Sequence, residues 1–324
     1  MKSRFLSAGL VLGTLLAATP ASAQTKWNLP AAYPADNPHS ENLVLFAKDV
    51  EAATGGKLVI TVHPGASLFK APDIKRAVQT GQTPIGERLL SAHENENPLF
   101  GLDSIPFLTS SYGDSERLWQ AGRPELEKVL EAQGLVLLYS VPWPPQGLYF
   151  KKDVGSAADM AGVKVRSYNN STGRLAELGG MVPVQIEAAE ITEALITGVI
   201  DSLITSAVTG QDSKAWEQLT RFYKVNAWQP RNYVIVNKDA WSGLDDKTRG
   251  AFKDCAAKAE TNGVAMSKGA NEKALKDLEQ HGMKVFDPPD KLAKELRGFG
   301  KTMTDEWKAK AGDAGKAVLG AYAK

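Results

Sequence analysis

Cysteine is almost absent. Only Cys255 occurs in 324 residues, so no internal disulfide can form and the core must stabilise the fold unaided. Its setting, Ala251-Phe252-Lys253-Asp254-Cys255-Ala256-Ala257, reads as a helix carrying a small buried apolar side chain rather than a nucleophile. Histidine is also scarce. His39, His63, His93 and His281 stand apart, and no pair flanks a glutamate at helical spacing, so a zinc-protease site has no support. The G-x-S-x-G elbow, the G-x-x-x-x-G-K-[ST] loop and the G-x-G-x-x-G turn are all missing, and His93-Glu94-Asn95-Glu96-Asn97 lacks calcium-loop spacing. The sequence therefore gives no local signature for a familiar nucleophile, for nucleotide binding or for a metal cofactor.

An excess of either charge is missing too. The formal net charge is +1, and without Lys2 and Arg4 it becomes −1, with 36 basic against 37 acidic residues. That balance points away from nucleic acid and anionic membrane as partners. Apolar runs of membrane-spanning length are likewise lacking. Phe5 to Ala18 is too short, and with Lys2 and Arg4 before it and Ala21-Ser22-Ala23 after it, it reads as an export signal. Residues 1–23 are thus expected to be a signal peptide, and no cysteine at the cut marks a lipoprotein. The mature chain would be a soluble periplasmic protein, with a monomer as the default. Its 301 residues suffice for two domains, and 43% hydrophobic with 23% charged residues is the balance of a packed protein.

What is present is an alternation of strand-like and helix-like runs. Lys26 to Ala32 reads as a strand. Ser40 to Thr54 reads as a helix, with Leu43, Phe46, Ala47 and Val50 on one face and Gly55-Gly56 as its stop. Lys57 to Val62 is a strand, Pro72 to Thr80 a helix and Thr83 to Leu90 a strand. The pattern restarts after Gly134 with the apolar strand Leu135 to Ser140, broken by Pro142, Pro144 and Pro145. Further strands fall at 147–151, 163–166, 199–204 and 233–237, with helices over 171–179 and 188–198. Asp245 to Gln280 is a long helical region expected to be interrupted near Gly263 and Gly269, and a helical tail covers 292–311. This order predicts mainly parallel sheets in two lobes with a ligand cleft between them.

One residue within that frame carries chemistry. Arg166 ends the strand Gly162-Val163-Lys164-Val165-Arg166, just before the polar loop Ser167-Tyr168-Asn169-Asn170-Ser171. An arginine so placed can hold a carboxylate through two parallel hydrogen bonds, or form an ordinary interlobe ion pair. Asn169 would complete that cradle or hold the loop as an Asx-type turn. Trp143, among three prolines, would stack on a flat ligand or form hinge core. Trp228 and Arg231 flank Pro230 before the returning strand and are further candidates. Tyr112, Trp119, Trp216 and Trp241 read as packing residues.

A family resemblance rests on several segments in order: residues 48–58, His63-Pro64-Gly65-Ala66-Ser67-Leu68, Ala77 to Gly81, Ser104 to Leu108, 156–166, 190–201 and Tyr233 to Lys238. Over essentially the whole mature chain the sequence resembles the extracytoplasmic solute-binding subunits of TRAP transporters, the DctP-like proteins. The resemblance implies an α/β periplasmic binding protein fold of two lobes, hinge strands and a long helix spanning both. Lobe I would take 24–145 plus 233–275, and lobe II 146–232 plus 276–324. It also implies closure around an organic acid, with Arg166 on the carboxylate, and delivery to membrane permease subunits.

Phe69 falls at a family contact position, and Glu87 where the family often places an acid near the site. Relative to the sialic-acid-binding branch, Gln146 replaces a second arginine and Thr205 an asparagine. Both changes favour a ligand with one carboxylate. With Trp143, Phe69, Trp228 and Tyr168 as walls, the expected ligand is an aromatic or hydrophobic monocarboxylate, such as a 2-oxo or 2-hydroxy acid. Alternatives are a binding protein that feeds a sensor kinase and a secreted enzyme acting on a carboxylate through Glu87 and Arg166.

Overall fold

The computed structural model describes residues 24–324, so the expected export signal over 1–23 lies outside the described residues. The chain starts with strand β1 (Thr25–Pro30), helix α1 (Pro38–Ala53), strand β2 (Leu58–His63) and helix α2 (Ile74–Gln79). Strand β3 (Ile85–Leu89), helix α3 (Tyr112–Ala132) and strand β4 (Leu135–Pro142) follow. The chain then crosses to a second sheet through β5 (Gln146–Phe150), β6 (Lys164–Ser167), α4 (Asn170–Leu178), β7 (Val182–Gln185) and α5 (Ile191–Ile196). β8 (Ser202–Ser206), α6 (Ala207–Asp212) and β9 (Arg221–Tyr223) complete that run. β10 (Arg231–Asn237) returns to the first sheet, followed by α7 (Lys238–Ser242), α8 (Asp246–Gln280), β11 (Lys284–Phe286) and α9 (Asp290–Tyr322).

The helices begin where local chemistry allows. Asn37 caps α1 by accepting from His39 N, with Pro38 at the first helical position, and Leu43, Phe46, Ala47 and Val50 are buried as their spacing predicts. In the first lobe β1 pairs with β2, and β10 lies between β3 and β4. In the second lobe six strands run in the order β11-β9-β5-β8-β6-β7. The expected parallel pairing holds for β1 with β2, β6 with β7 and β8, and β11 with β9. β10 is antiparallel to β3 and β4, and β5 to β8 and β9.

The crossings explain this mixture. The outgoing segment from β4 to β5 and the returning one from β9 to β10 run in opposite directions and stay hydrogen-bonded between the lobes. Trp143 N donates to Pro230 O at 2.7 Å, and Gln146 N to Trp228 O at 3.0 Å.

α8 corrects one expectation. It is a single 35-residue helix with no break at Gly263 or Gly269. A Cβ at Gly263 would collide with both methyls of Val141, so this glycine lets α8 pass close to β4. The start of α8 packs Phe252, Ala256 and Ala259 with Phe46 and Tyr139 of the first lobe. Its end packs Ala274 and Leu278 with Tyr149, Leu203 and Phe222 of the second. One rigid rod thus joins both cores. Cys255 is buried on it, and burial raises the pKa of its thiol.

α9 extends beyond the expected tail to Tyr322 and kinks at Gly312 (φ 55°). Leu292 and Leu296 join the core around Leu148 and Ile204, whereas Trp307 and Val318 join that around Leu118 and Ile235.

Gly147 lies at the start of β5, in close contact with β9. An added Cβ would strike the Tyr223 carbonyl and the Phe222 ring. Gly147→Ala should therefore destabilise the protein by about 1–3 kcal/mol, the usual range for overpacking. Urea unfolding of both proteins checks this, and an unchanged midpoint would mean that the crossing has slack.

Candidate functional site

The two lobes meet over a cavity of about 30 Å³ beside the crossing segments. The first lobe contributes Tyr33, just beyond β1, and Leu89 at the end of β3. The crossings contribute Trp143, Gln146 and Pro230, and the second lobe Arg166, Tyr168, Ala188, Thr205 and Thr209. Arg166 and Thr205 lie near the carboxyl ends of the parallel neighbours β6 and β8, where open α/β sheets place ligands.

Arg166 dominates the site. It is 4% exposed, its Nε donates to Ile186 O at 2.8 Å, and its guanidinium carbon lies 4.8 Å from the Tyr168 ring centre. Among the described residues no carboxylate lies within 4.0 Å of it. Burial lowers its pKa from the ordinary arginine value, opposed by the field of Tyr168, Glu187 and Tyr33. A buried cation without an ion-pair partner carries a desolvation penalty of several kcal/mol. Its terminal nitrogens suit a planar anion held by two bonds. The nearby Glu187 is engaged across the lobes by Arg88, with Nη2 3.2 Å from Oε1. Arg88 Nε also donates to His93 Nε2 at 3.3 Å, and burial together with that guanidinium pushes His93 down to about 4.

Tyr168 OH accepts from Trp228 Nε1 at 3.0 Å and donates to Gln146 Oε1 at 3.2 Å. Burial raises the pKa of the Tyr168 and Tyr33 phenols well above the usual value, so both remain neutral hydroxyls. Trp143 donates Nε1–H to Asn232 Oδ1 at 2.8 Å and packs edge-on against Tyr33 at 4.7 Å, so it is both cavity wall and hinge core.

Further bonds hold the lobes together around the cavity. Asn169 Nδ2 donates to Ser91 Oγ (3.0 Å) and Ser104 Oγ (3.2 Å), and Ser171 Oγ donates to Glu94 Oε2 (2.8 Å). Asn37 Nδ2 donates to Asp212 Oδ2 at 2.8 Å. This conformation is therefore closed.

Arg166, Gln146, Thr205 and Trp143 are brought together here, and the other expected site residues are not. Glu87 is buried on β3 with Oε1 3.5 Å from His39 Nδ1, and the His39 ring lies 4.3 Å from the ring of Trp143. Glu87 is thus absent from the cavity wall. Phe69 is half-buried and packs on the core that includes Tyr33 and Trp143, also without lining the cavity. Asn169 caps α4 through Thr172 N and clamps the lobes, so its Asx-type role is the one realised. Trp228 lies in the layer behind Tyr168.

Arg231 is the clearest correction. It is 1% exposed, donates to Ser140 Oγ at 2.7 Å, approaches Glu116 at 3.3 Å and packs on Trp119. It therefore fastens α3 to β10, away from the cavity. Tyr33 and Thr209 are wall residues that the sequence reading missed. Their signal is position alone, in the loop after β1 and in the first turn of α6 behind β8.

Larger grooves lie elsewhere. One of about 500 Å³ runs between α3, β4 and α8, and another of about 660 Å³ runs between α4 and α9. Arg123 and Arg174 in these grooves are already paired with Glu127 and Glu306, so neither offers an equivalent of Arg166. Among the described residues, no group of three or more His, Cys, Asp or Glu is placed to hold a metal ion. No described helix is long and apolar enough to cross a membrane.

The sequence profile of the bacterial extracellular solute-binding protein family 7, DctP, matches residues 31–310. The chain belongs to that family. A TRAP solute-binding protein from a marine metagenome, specific for pyroglutamate and crystallised with it, is 50% identical. That match covers 93% of this chain and 99% of the other, with a TM-score of 0.91. DctP6 of Bordetella pertussis, an extracytoplasmic solute receptor binding pyroglutamic acid, is 48% identical over 92% of this chain and 99% of its own, also at 0.91. A monocarboxylate 2-oxoacid-binding periplasmic protein of Nostoc sp. is 24% identical over 88% of this chain and 83% of its own length. The α/β two-lobed fold and the TRAP solute-binding class expected from the sequence are those of these relatives.

Asp212 gives the closed form a pH signature. Burial pushes its carboxyl up to about 6, with Asp36 adding to the shift and the Asn37 bond opposing it. The folded value lies above that of an unfolded aspartate, so the native state binds this proton more readily. The associated stability is complete below about pH 4 and is lost as pH rises through 6. Asp212→Asn should melt higher than wild type at pH 7, and the gap should close between pH 6 and 4. A gap that widens on acidification would show that Asp212 is held as a stabilising carboxylate.

Proposed function

We propose that this protein is a periplasmic receptor that captures a small cyclic monocarboxylate of the pyroglutamate class and delivers it to the permease of a TRAP transporter. The observation that carries this reading is Arg166, a buried cation whose terminal nitrogens have no carboxylate partner among the described residues and whose side chain lines the interlobe cavity.

The chemistry favours one carboxylate. Arg88 is matched by Glu187, so a second ligand carboxylate would meet no further free cation among the described residues of this cavity. The hydroxyls of Tyr33, Thr205 and Thr209 and the amide of Gln146 can each donate and accept. That pair of abilities suits a lactam, which carries one N–H and one C=O beside its carboxylate. The rings of Tyr33, Trp143 and Tyr168 give the cavity flat walls that suit a compact ring. The two pyroglutamate-binding relatives support the same class. The Nostoc relative supports 2-oxo monocarboxylates as a second reading with the same use of Arg166.

Among the described residues no histidine or cysteine lines the cavity, which favours capture over turnover. The leader-like residues 1–23 and the extracellular family fit export to the periplasm. In this reading the lobes, 24–145 plus 233–275 and 146–232 plus 276–324, hinge about the paired crossings. The ligand closes them by binding the closed form more tightly than the open one.

Thermal melting against L-pyroglutamate, pyruvate, a C4 dicarboxylate and an aromatic acid tests the proposal. At 100 times Kd a bound ligand should add about 2.7 kcal/mol of stability. L-Pyroglutamate should stabilise the wild type, and Arg166→Ala should abolish that response while still folding. A full response in Arg166→Ala would remove the arginine from the site. Stabilisation by pyruvate alone would transfer the reading to 2-oxo acids.

A further inference from the structure

Trp228 does not line the cavity, yet a hydrogen-bond chain that starts at its indole ends at the cavity wall. It runs from Trp228 Nε1 to Tyr168 OH (3.0 Å), from Tyr168 OH to Gln146 Oε1 (3.2 Å) and from Gln146 Nε2 to Pro144 O (2.8 Å). The direction of every bond is fixed from both ends. An indole N–H can only donate, so the Tyr168 oxygen accepts from it and directs its own proton to Gln146. A backbone carbonyl can only accept, so the Gln146 amide turns its nitrogen to Pro144 and its oxygen to Tyr168. Trp228, Tyr168 and Gln146 are at most 6% exposed, so reversal of any member leaves a buried polar atom unmet.

The chain also joins three parts of the fold. Trp228 lies on the returning crossing, Pro144 and Gln146 on the outgoing one, and Tyr168 directly after β6. The Tyr168 ring is the platform under Arg166, 4.8 Å from the guanidinium carbon, and Ile186 O holds Arg166 Nε from another direction. A guanidinium presents its donors in one plane, so the tilt of this platform sets where the fork points.

We propose that Trp228 is a positioning residue for ligand capture. Through Tyr168 it fixes the plane of the Arg166 guanidinium, and through Tyr168 and Gln146 it ties that plane to both crossings. The proposal rests on the reading of Arg166 as the carboxylate anchor.

Trp228→Phe and Tyr168→Phe each keep a ring and break the chain. Two readouts apply to each variant and to the double variant: hydrogen exchange of the Arg166 Nε–H in ligand-free protein by nitrogen-15 NMR, and L-pyroglutamate affinity by calorimetry. Each single change should speed exchange and weaken affinity by about tenfold, the effect of one lost buried bond. The double variant should be no worse than Tyr168→Phe alone, because a chain already broken cannot be broken again.

A Trp228→Phe protein with lowered melting temperature but unchanged Arg166 exchange and affinity would overturn the proposal, leaving only a packing role. Losses that multiply to about a hundredfold in the double variant would also overturn it. If Trp228→Phe fails to fold, Tyr168→Phe decides alone, and unchanged exchange there is fatal. If the wild type does not bind L-pyroglutamate, the ligand reading fails while the ligand-free exchange measurement still judges the relay.

Discussion

Burial of one unpaired guanidinium is the constraint around which this molecule is organised. Arg166 is kept from water by two closed lobes, and among the described residues no carboxylate of its own lobe pairs with it. The surroundings stabilise it only partly, through one backbone carbonyl and one tyrosine ring. The nearest competitor, Glu187, is occupied by Arg88 of the other lobe, which both spares Arg166 an internal partner and fastens closure. The same ion pair therefore acts on the site and on the conformation. A ligand carboxylate would supply the missing charge where Coulomb attraction is strong and water is excluded.

The frame that holds this arrangement is stiff in some places and jointed in others. α8 joins both cores without a break, and α9 packs against both. The hinge candidates are the two short crossings, which hold each other through Trp143 N to Pro230 O and Gln146 N to Trp228 O. Prolines at 142, 144, 145 and 230 limit the backbone freedom of these crossings, so the open and closed forms are expected to differ at few dihedral angles.

Much of the fold was legible because it follows from local rules. The apolar face of α1 and the proline break after β4 are written within a few residues of where they act, whereas α1 starts at Asn37-Pro38, ahead of the expected Ser40. Arg166 was legible for the same reason, as a cation at the end of a strand before a polar loop. Arg231 was misread because its partners Ser115 and Glu116 lie more than a hundred residues away. Glu87 shares its face of β3 with the wall residue Leu89 yet lies deeper, against His39, a partner distant in sequence that no local pattern announces. Gly263 looks like a helix break by propensity, yet contact with Val141 gives it a tertiary reason to be glycine. Tyr33 and Thr209 follow strands without any motif, so only the assembled lobes reveal them.

The edge strand β7 has a consequence for life at high concentration. Val182 N and Ile186 N both point inward, donating to Val163 O and Ser167 O of the neighbouring strand. Alternation then sends the amide position of residue 183 outward, and that residue is proline. The outer edge of the six-stranded sheet thus lacks a donor at its centre. A second chain seeking to extend the sheet there would find an interrupted ladder, which guards the protein against edge-to-edge aggregation.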